Sequence, residues 1–397
     1  MEAVGIVCEY NPLHTGHKRQ IDLLRKKGHE LIVCAMSGNY TERGELAIAD
    51  KYTRAESAIR CGADIVLELP FPFSSLSAEG FSRAGVHILA GAGCKYLSFG
   101  SECADTYTLF RASDAISKES FVSDYSDAPK SLGSAAAFFE TLSNALGEEA
   151  KLLSNDILAI SYISAIKNGN YNMDIIPIKR EGMAYNAETL EKDSYPSATA
   201  LRKRLQNGVG GFSALDGSYL PQNSLEVLQK TKEPIFAENI EREILAFFKL
   251  MTPKEITERA ILRSGGGKTV ADDGCGLVER LCSAARNSST LGEFLQVSYT
   301  AKYTYSRIKR VVLFSLLGVS DVFYRELPQF TNLLGVSDTG RKYLSEIRKN
   351  SKFPIITKPA DAPDGHLAEI LHSSDRLYCM AAGLKPDHFI KKHPFVI

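Results

Sequence analysis

Short apolar runs alternate with helix-like segments through roughly the first 210 residues of this 397-residue chain. The predicted strands, each of buried-strand length, lie at 3–8, 31–36, 65–69, 96–99 and 175–178. A first helix is predicted after His17. Further helices are predicted between and beside the strands, at about 50–61, 77–91, 105–118, 132–147 and 156–168. This alternation predicts a Rossmann-like α/β fold, in which right-handed crossovers place helices on both faces of a parallel sheet.

A glycine-rich break, Asn207-Gly208-Val209-Gly210-Gly211, ends the alternation and predicts two domains, 1–208 and 209–397. The second region is predicted to be mainly helical, with helices at about 223–231, 237–250, 274–286 and 301–317. A small α/β piece follows, with a strand at 330–336, a helix at 338–349 and a strand at 354–357.

The charge balance excludes a chain-wide basic field, because Lys plus Arg and Asp plus Glu each number 47. A nucleic-acid partner would therefore need a local basic surface. The eight cysteines form no Cys-x-x-Cys pair, so we expect neither a zinc site nor a dithiol centre. No apolar run approaches the ~20 residues of a membrane helix, and the start has no basic leader. We expect a cytoplasmic protein with no membrane partner.

The segment His14-Thr15-Gly16-His17 follows the first predicted strand and precedes a helix. In an open parallel sheet, ligands bind beyond the carboxyl ends of the strands, where this turn lies. Backbone N–H groups at a helix start favour an anion, and two imidazoles three residues apart can add hydrogen bonds to phosphate oxygens. Gly16 allows close approach of the backbone. The alternative is an ordinary strand–helix turn with two surface histidines.

A second informative stretch is Tyr195-Pro196-Ser197-Ala198-Thr199-Ala200-Leu201-Arg202. Ser197 and Thr199 can cap a helix and also offer hydroxyl groups to phosphate. Arg202 would project from the first turn, where a fixed cation stabilises charge that develops on leaving pyrophosphate. The alternative is a helix cap followed by a solvated arginine. Taken together, the two stretches predict a catalytic set of His14, His17, Ser197, Thr199 and Arg202.

These stretches resemble the His-x-Gly-His and Ser-x-Thr-x-x-Arg signatures of the nucleotidyltransferase superfamily. Further blocks narrow the resemblance: Glu9-Tyr10-Asn11-Pro12, Met36-Ser37-Gly38-Asn39-Tyr40, Arg43-Gly44-Glu45, Gly62-Ala63-Asp64-Ile65-Val66-Leu67-Glu68-Leu69-Pro70 and Ser98-Phe99-Gly100-Ser101-Glu102. With them, the chain is similar to the tRNA cytidine acetate ligase family through most of residues 1–205 and more loosely beyond. One departure is Leu46, where the family pattern has proline.

The resemblance implies a two-step reaction that uses ATP, acetate and Mg²⁺, the metal being held through the phosphates. Acetate attacks the α-phosphate to give acetyl-adenylate and pyrophosphate. The wobble cytidine of elongator methionine tRNA then takes the acetyl group and becomes N4-acetylcytidine. The resemblance also implies that the region 209–397 binds this tRNA.

The same resemblance implies ATP contacts from one continuous segment and three separate residues. These are Val7, Cys8, Glu9, Tyr10, Asn11, Pro12, Leu13, His14, Thr15, Gly16, His17, Lys18, Arg19, Gln20, Gly100, Asn155 and Arg180. Without the family, a turn glycine explains Gly100 equally well. A simple helix cap is then the favoured interpretation of Asn155, and an exposed arginine with no role is the favoured interpretation of Arg180. No metal-ligating side chain is predicted.

Two smaller sets of residues are candidates for the other substrates. Ser37, Asn39 and Arg43 follow the second predicted strand and could line the acetate or cytidine side. Tyr303, Arg307 and Arg310 fall on one face of a predicted helix, where an aromatic ring and two guanidinium groups suit RNA. The alternative for this face is plain solvation.

Two other functions fit part of the pattern. An adenylyltransferase acting on a small cofactor precursor would use both phosphate motifs but would not need the long C-terminal half. An RNA-binding protein with a non-catalytic nucleotide pocket would use the basic helix face, but it leaves the pairing of the two phosphate motifs unexplained.

Overall fold

The computed structural model describes residues 2–128, 134–147, 152–181, 195–208, 210–231, 233–268 and 276–397. Its strands are β1 (Ala3–Cys8), β2 (Ile32–Ser37), β3 (Ile65–Leu69), β4 (Cys94–Ser101), β5 (Asp174–Lys179), β6 (Thr331–Val336), β7 (Ile355–Ile356) and β8 (Phe395–Val396). They form a sheet in the order β5-β4-β1-β2-β3-β6-β7, with β8 also paired to β6.

The first five strands are parallel neighbours. Every residue of β2 and β3 is buried, as expected for strands covered on both faces, which therefore read as continuous apolar runs. The predicted Rossmann-like sheet is confirmed. β4 is the strand whose length differs most from prediction, since it also includes residues on either side of 96–99.

The predicted C-terminal α/β piece joins this same sheet. β6 lies antiparallel to β3, with Ile65 opposite Val336. Thr331 Oγ1 donates to the carbonyl oxygen of Glu68 at 2.6 Å and secures this junction. The two predicted regions thus share a sheet and one continuous apolar core, while the division at 208 stays a prediction.

The helices cover the sheet and build most of the C-terminal half. They are α1 (Thr15–Lys26), α2 (Lys51–Arg60), α3 (Ala78–Gly91), α4 (Thr106–Ile116), α5 (Glu119–Asp127), α6 (Ser134–Leu146), α7 (Ser154–Asn168), α8 (Ala198–Asn207), α9 (Gln222–Gln229), α10 (Glu241–Leu250), α11 (Pro253–Arg263), α12 (Leu277–Arg286), α13 (Leu291–Ser298), α14 (Tyr305–Leu317), α15 (Asp338–Asn350) and α16 (His366–Ala381). The sequence prediction lacks α5, α11, α13 and α16. Its helix starts at 132 and 274 lie outside the described residues.

The carboxyl end of β1 leads into the start of α1, and Ser101 at the carboxyl end of β4 donates from Oγ to Asp156 Oδ1 at the start of α7, at 2.6 Å. This edge is where an open parallel sheet presents its ligand crevice. Among the described residues, none of the helices has both the length and the apolar character needed to cross a bilayer.

Candidate active site

A cavity lies at this carboxyl edge of the sheet. Of the residues predicted to bind ATP or to act in catalysis, the following line it: Val7, Cys8, Glu9, Tyr10, Asn11, His14, Gly16, His17, Arg19, Gln20, Gly100, Asn155, Arg180, Thr199 and Arg202. Phe99 and Tyr162 add an apolar wall, with ring centroids 5.7 Å apart. The cavity therefore combines polar and cationic groups with an apolar surface that suits a nucleobase.

The start of α1 fixes the two histidines. His14 caps the helix, and its Nδ1 accepts a hydrogen bond from Gly16 N at 3.1 Å. His17 Nδ1 accepts from His14 N at 3.3 Å, so the two bonds form a reciprocal cap. The two imidazoles stack with their centroids 3.7 Å apart. Because each Nδ1 accepts a hydrogen bond, a neutral ring must carry its proton on Nε2.

Both imidazoles are held in the neutral form. Burial, with a contribution from Arg180, lowers the pKa of His17 to about 3. Burial also lowers the pKa of His14 well below 6.5, and His17, Arg180 and Arg202 act in the same direction. The histidines thus supply Nε2–H hydrogen-bond donors without charge, and the positive charge at the cavity comes from arginines.

Arg202 reaches the histidine turn from α8. Its Nη1 donates to the carbonyl oxygen of Asn11 at 3.0 Å, and its Nη2 donates to Thr199 Oγ1 at 3.4 Å. Glu45 Oε2 lies 3.7 Å from the same Nη2, while Glu45 Oε1 pairs with Lys309 Nζ at 2.6 Å. The structure therefore brings the arginine of the second motif against the turn that carries the first.

Glu102 contacts two of the other residues that are predicted to bind ATP. Asn155 donates to it from Nδ2, and also from its backbone N at 3.1 Å. Arg180 Nε lies 3.8 Å from Glu102 Oε1, and Arg180 N donates to the carbonyl oxygen of Ser101 at 2.9 Å. A Cβ atom on Gly100 would lie 3.3 Å from Arg180 Cγ. Glu102 therefore fixes Asn155 and Arg180 beside Gly100.

Glu9 and Glu42 are two of the carboxylates that line the cavity, and both lie at or beside the loop 41–46. Burial raises the pKa of both Glu9 and Glu42. Glu9 Oε1 accepts from Glu42 N at 2.7 Å, and Glu42 Oε1 lies 3.3 Å from Arg310 Nη1. Within the part of the chain that the structure describes, no group of three His, Cys, Asp or Glu side chains is arranged to hold a metal ion.

The remaining predicted site residues are not among those that line the cavity: Pro12, Leu13, Thr15, Lys18 and Ser197. Leu13 is in the core, and Thr15 N donates to the carbonyl oxygen of Tyr219 at 3.0 Å. Lys18 pairs with Asp22. Ser197 Oγ caps α8 by accepting from Ala200 N at 3.0 Å. Direct ATP contact by these residues stays a prediction.

The expectation that Ser37 and Asn39 face a substrate is wrong. Both side chains are buried outside the cavity. Asn39 Oδ1 accepts from Lys51 N at 2.9 Å, and its Nδ2 donates to Asp375 Oδ1 at 2.9 Å. Asn39 thus joins the sheet to α16, and only Arg43 of this predicted set lines the cavity.

The predicted RNA face on α14 is also wrong in part. Tyr303 precedes the helix and is only 5% exposed. Its ring lies beneath the guanidinium of Arg307, which is 5.3 Å from the ring centroid. The ring is therefore covered and is not presented to a base.

Arg54, which was not predicted from the sequence, holds the backbone segments next to the cavity in place. Its side chain is fully buried and donates to the carbonyl oxygens of Glu9 at 2.6 Å, Ala49 at 2.9 Å and Ser37 at 3.1 Å. It thereby ties the ends of β1 and β2 together. The sequence signal that could have identified Arg54 is its position on the same face of α2 as alanines that are buried.

A parallel sheet whose first strand–helix turn presents paired imidazoles, met by an arginine from a later helix, is the arrangement of a nucleotidyltransferase. Consistent with this class, residues 1–389 match the family model described as HIGH Nucleotidyl Transferase.

Relatives narrow the class further. The chain is 32% identical over 377 residues to the tRNA(Met) cytidine acetate ligase of Caldanaerobacter subterraneus, covering 91% of this chain and 89% of that one. It is 30% identical over 383 residues to the same enzyme of Acetivibrio thermocellus, with the same coverage. A crystal structure of Thermotoga maritima TmcAL bound with α-thio ATP matches the fold with a TM-score of 0.83, 27% identity and complete coverage of both chains. This chain belongs to the tRNA(Met) cytidine acetate ligase family.

Proposed function

We propose that the protein is an ATP-dependent acetate ligase that forms acetyl-adenylate and acetylates the wobble cytidine of elongator methionine tRNA. The observation that carries this proposal is the convergence of His14, His17, Asn155, Arg180 and Arg202 on one cavity, in a chain of this family. Because its substrate is a tRNA, we propose that the protein acts in the cytoplasm.

In the first step, a carboxylate oxygen of acetate attacks the α-phosphorus of ATP. A new P–O bond forms, the bond to the bridging oxygen breaks, and pyrophosphate leaves with the electron pair. Acetate is a weak nucleophile, so the protein must contribute mainly by positioning and charge neutralisation. Neutral His14 and His17 would donate Nε2–H bonds to phosphate oxygens, and Arg202 would offset charge on the leaving pyrophosphate.

We propose that Mg²⁺ enters this site with the nucleotide. The phosphates of ATP would carry the ion, as substrate phosphates do in many Mg²⁺ sites. Bound there, it would neutralise phosphate charge. The apolar wall of Phe99 and Tyr162, beside Gly100, offers a surface for adenine.

In the second step, the exocyclic amine of cytidine attacks the acetyl carbonyl carbon. The C–O bond to the phosphate breaks, AMP leaves with the electron pair, and the amine loses a proton to solvent water. The C-terminal region 209–397 is proposed to hold the tRNA while this occurs. Arg43 lines the cavity and stands as the candidate contact to acetate or cytidine.

The test is acetate-dependent exchange of radiolabelled pyrophosphate into ATP, followed by mass spectrometry of tRNA after the complete reaction. We expect exchange that requires acetate and a tRNA nucleoside heavier by one acetyl group. Exchange that proceeds equally without acetate would favour the small-substrate adenylyltransferase. ATP and tRNA binding without either product would favour the non-catalytic RNA-binding protein.

A further inference from the structure

A second cavity, of about 1140 Å³, lies between α5, α6, α7 and the start of α14, and we call it the groove. We propose that the groove receives the single-stranded loop of the RNA substrate. This inference rests on the proposed tRNA-acetylating function and extends the proposed RNA-binding surface from the C-terminal region to helices α5, α6 and α7.

One wall of the groove is cationic. Arg83, Lys302, Arg307 and Arg310 line it, and Glu79 is the sole carboxylate among its described lining residues. Formal charge over the whole chain is zero, so attraction of a polyanion depends on a local patch of this kind. The patch is complementary in charge to an RNA backbone.

Another wall of the groove is aromatic. Tyr125 and Phe138 are half-buried, and their rings meet edge to face with centroids 5.9 Å apart. Phe139, also half-buried, continues the cluster at 6.4 Å from Phe138. Unpaired bases stack on rings of this kind, whereas the bases of an RNA duplex are already stacked and paired. The combination of a cationic wall and an aromatic wall therefore favours a loop over a helix of RNA.

The groove adjoins the candidate active site through an ion pair. Glu42 lines the active-site cavity, Arg310 lines the groove, and Glu42 Oε1 lies 3.3 Å from Arg310 Nη1. Helix α7 also contributes to both, with Leu158 lining the cavity and Ile157 the groove. Enzymes that modify a base act on an unpaired or extruded nucleotide. A cytidine extruded from a loop in the groove would pass this ion pair to meet the acetyl-adenylate.

The experiment compares two double variants of the full chain. Lys302→Ala with Arg307→Ala removes two cations of the groove, and Lys342→Ala with Arg348→Ala removes two exposed cations of α15, which do not line it. Elongator methionine tRNA, its anticodon stem-loop and a loop-free duplex are titrated over a salt series. Acetate-dependent pyrophosphate exchange, measured without RNA, reports the integrity of the fold and of the first half-reaction.

For the groove variant, we expect RNA affinity to fall roughly tenfold and the slope of log K against log salt to become shallower by about 1.4, at ~0.7 per phosphate contact. The groove variant should keep the wild-type rate of pyrophosphate exchange, and the control variant should keep both the wild-type RNA affinity and the wild-type exchange. The duplex should bind more weakly than the stem-loop. Unchanged affinity, equal losses in both variants, or equal binding of duplex and stem-loop would each overturn the inference. Pyrophosphate exchange by the wild type that does not depend on acetate would instead refute the proposed function. The RNA titrations would still test whether the groove binds RNA.

Discussion

Burial of two uncharged imidazoles makes the folded state sensitive to acid. The pKa of His17 falls from its usual 6.5 to about 3, so between these pH values the unfolded chain binds more protons than the folded chain. The contribution of His17 to the free energy of unfolding therefore has its full value above about pH 6.5 and decreases as the pH falls towards 3, by up to ~1.4 kcal/mol per pH unit. Urea unfolding of the wild type at about pH 7 and about pH 5 measures the loss.

His17→Gln should show a shallower dependence on pH over the same range, because glutamine does not titrate. His393→Gln is the matched control, since His393 is exposed, and it should keep the wild-type slope. Equal slopes for all three proteins would contradict neutral burial of His17.

Arg202 is expected to act on the reaction more than on folding. It is anchored by the carbonyl oxygen of Asn11 and is partly exposed, so Arg202→Gln should fold. Loss of a fixed cation at a developing negative charge typically lowers the rate by about 10²–10³-fold. Pyrophosphate exchange measures this effect. Arg204→Gln, on the exposed side of the same helix, should keep nearly full exchange, and a comparable loss there would point to damage of α8 instead.

At the scale of elements, the loop 41–46 is pressed against α14. Gly44 has a φ of +72°, and a Cβ atom on it would lie 2.5 Å from Arg310 N. Gly28 has a similar φ of +88°, but a Cβ atom there would meet nothing within 4 Å. Both Gly→Ala changes carry the cost of a left-handed conformation, about 1 kcal/mol. Only the change at Gly44 also forces two backbones apart.

We therefore expect Gly44→Ala to lower the free energy of unfolding by roughly 1–3 kcal/mol more than Gly28→Ala. Urea unfolding of both variants under one set of conditions gives the difference. Equal destabilisation would mean that the loop moves away from α14 without penalty.

Local pattern predicted the elements that depend on local physics. The parallel strands are continuous apolar runs because they are buried on both faces, and the His14–Gly16–His17 turn is shaped by hydrogen bonds within four residues. Helix α11 was also within reach, because Thr252 and Glu255 form a reciprocal cap around Pro253.

Contacts between residues that are far apart in the sequence could not be predicted from local pattern. Asn39 has the chemistry of a substrate contact, but α16, more than 300 positions away, buries it. Tyr303 has the chemistry of a base-stacking residue, but packing covers its ring. Nothing near β6 in the sequence indicates that it lies antiparallel to β3.

At the scale of the whole molecule, a buried charge cluster connects the two halves of the chain. Lys51 Nζ lies 2.9 Å from Glu68 Oε1 and 2.8 Å from Asp375 Oδ2, with no exposed side-chain area on Lys51 or Glu68. Burial lowers the pKa of Lys51, but Asp375 and Glu68 outweigh it and raise the pKa overall. Burial raises the pKa of Asp375 despite the nearby ammonium. Two carboxylates thus compete for one cation.

This imbalance predicts unequal costs for two substitutions in the cluster. Lys51→Met leaves two buried carboxylates without their cation and should lower the free energy of unfolding by roughly 3–5 kcal/mol. Asp375→Asn keeps a balanced Lys51–Glu68 pair and an amide that can still hydrogen-bond, so its cost should stay below about 2 kcal/mol. Urea unfolding followed by circular dichroism measures both.

The number of unfolding transitions is a second readout. The C-terminal half contributes β6 to the sheet and Asp375 of α16 to the cluster, so each variant should still unfold in one transition. Two separated transitions, or equal costs, would show that the cluster does not couple the halves through its charge.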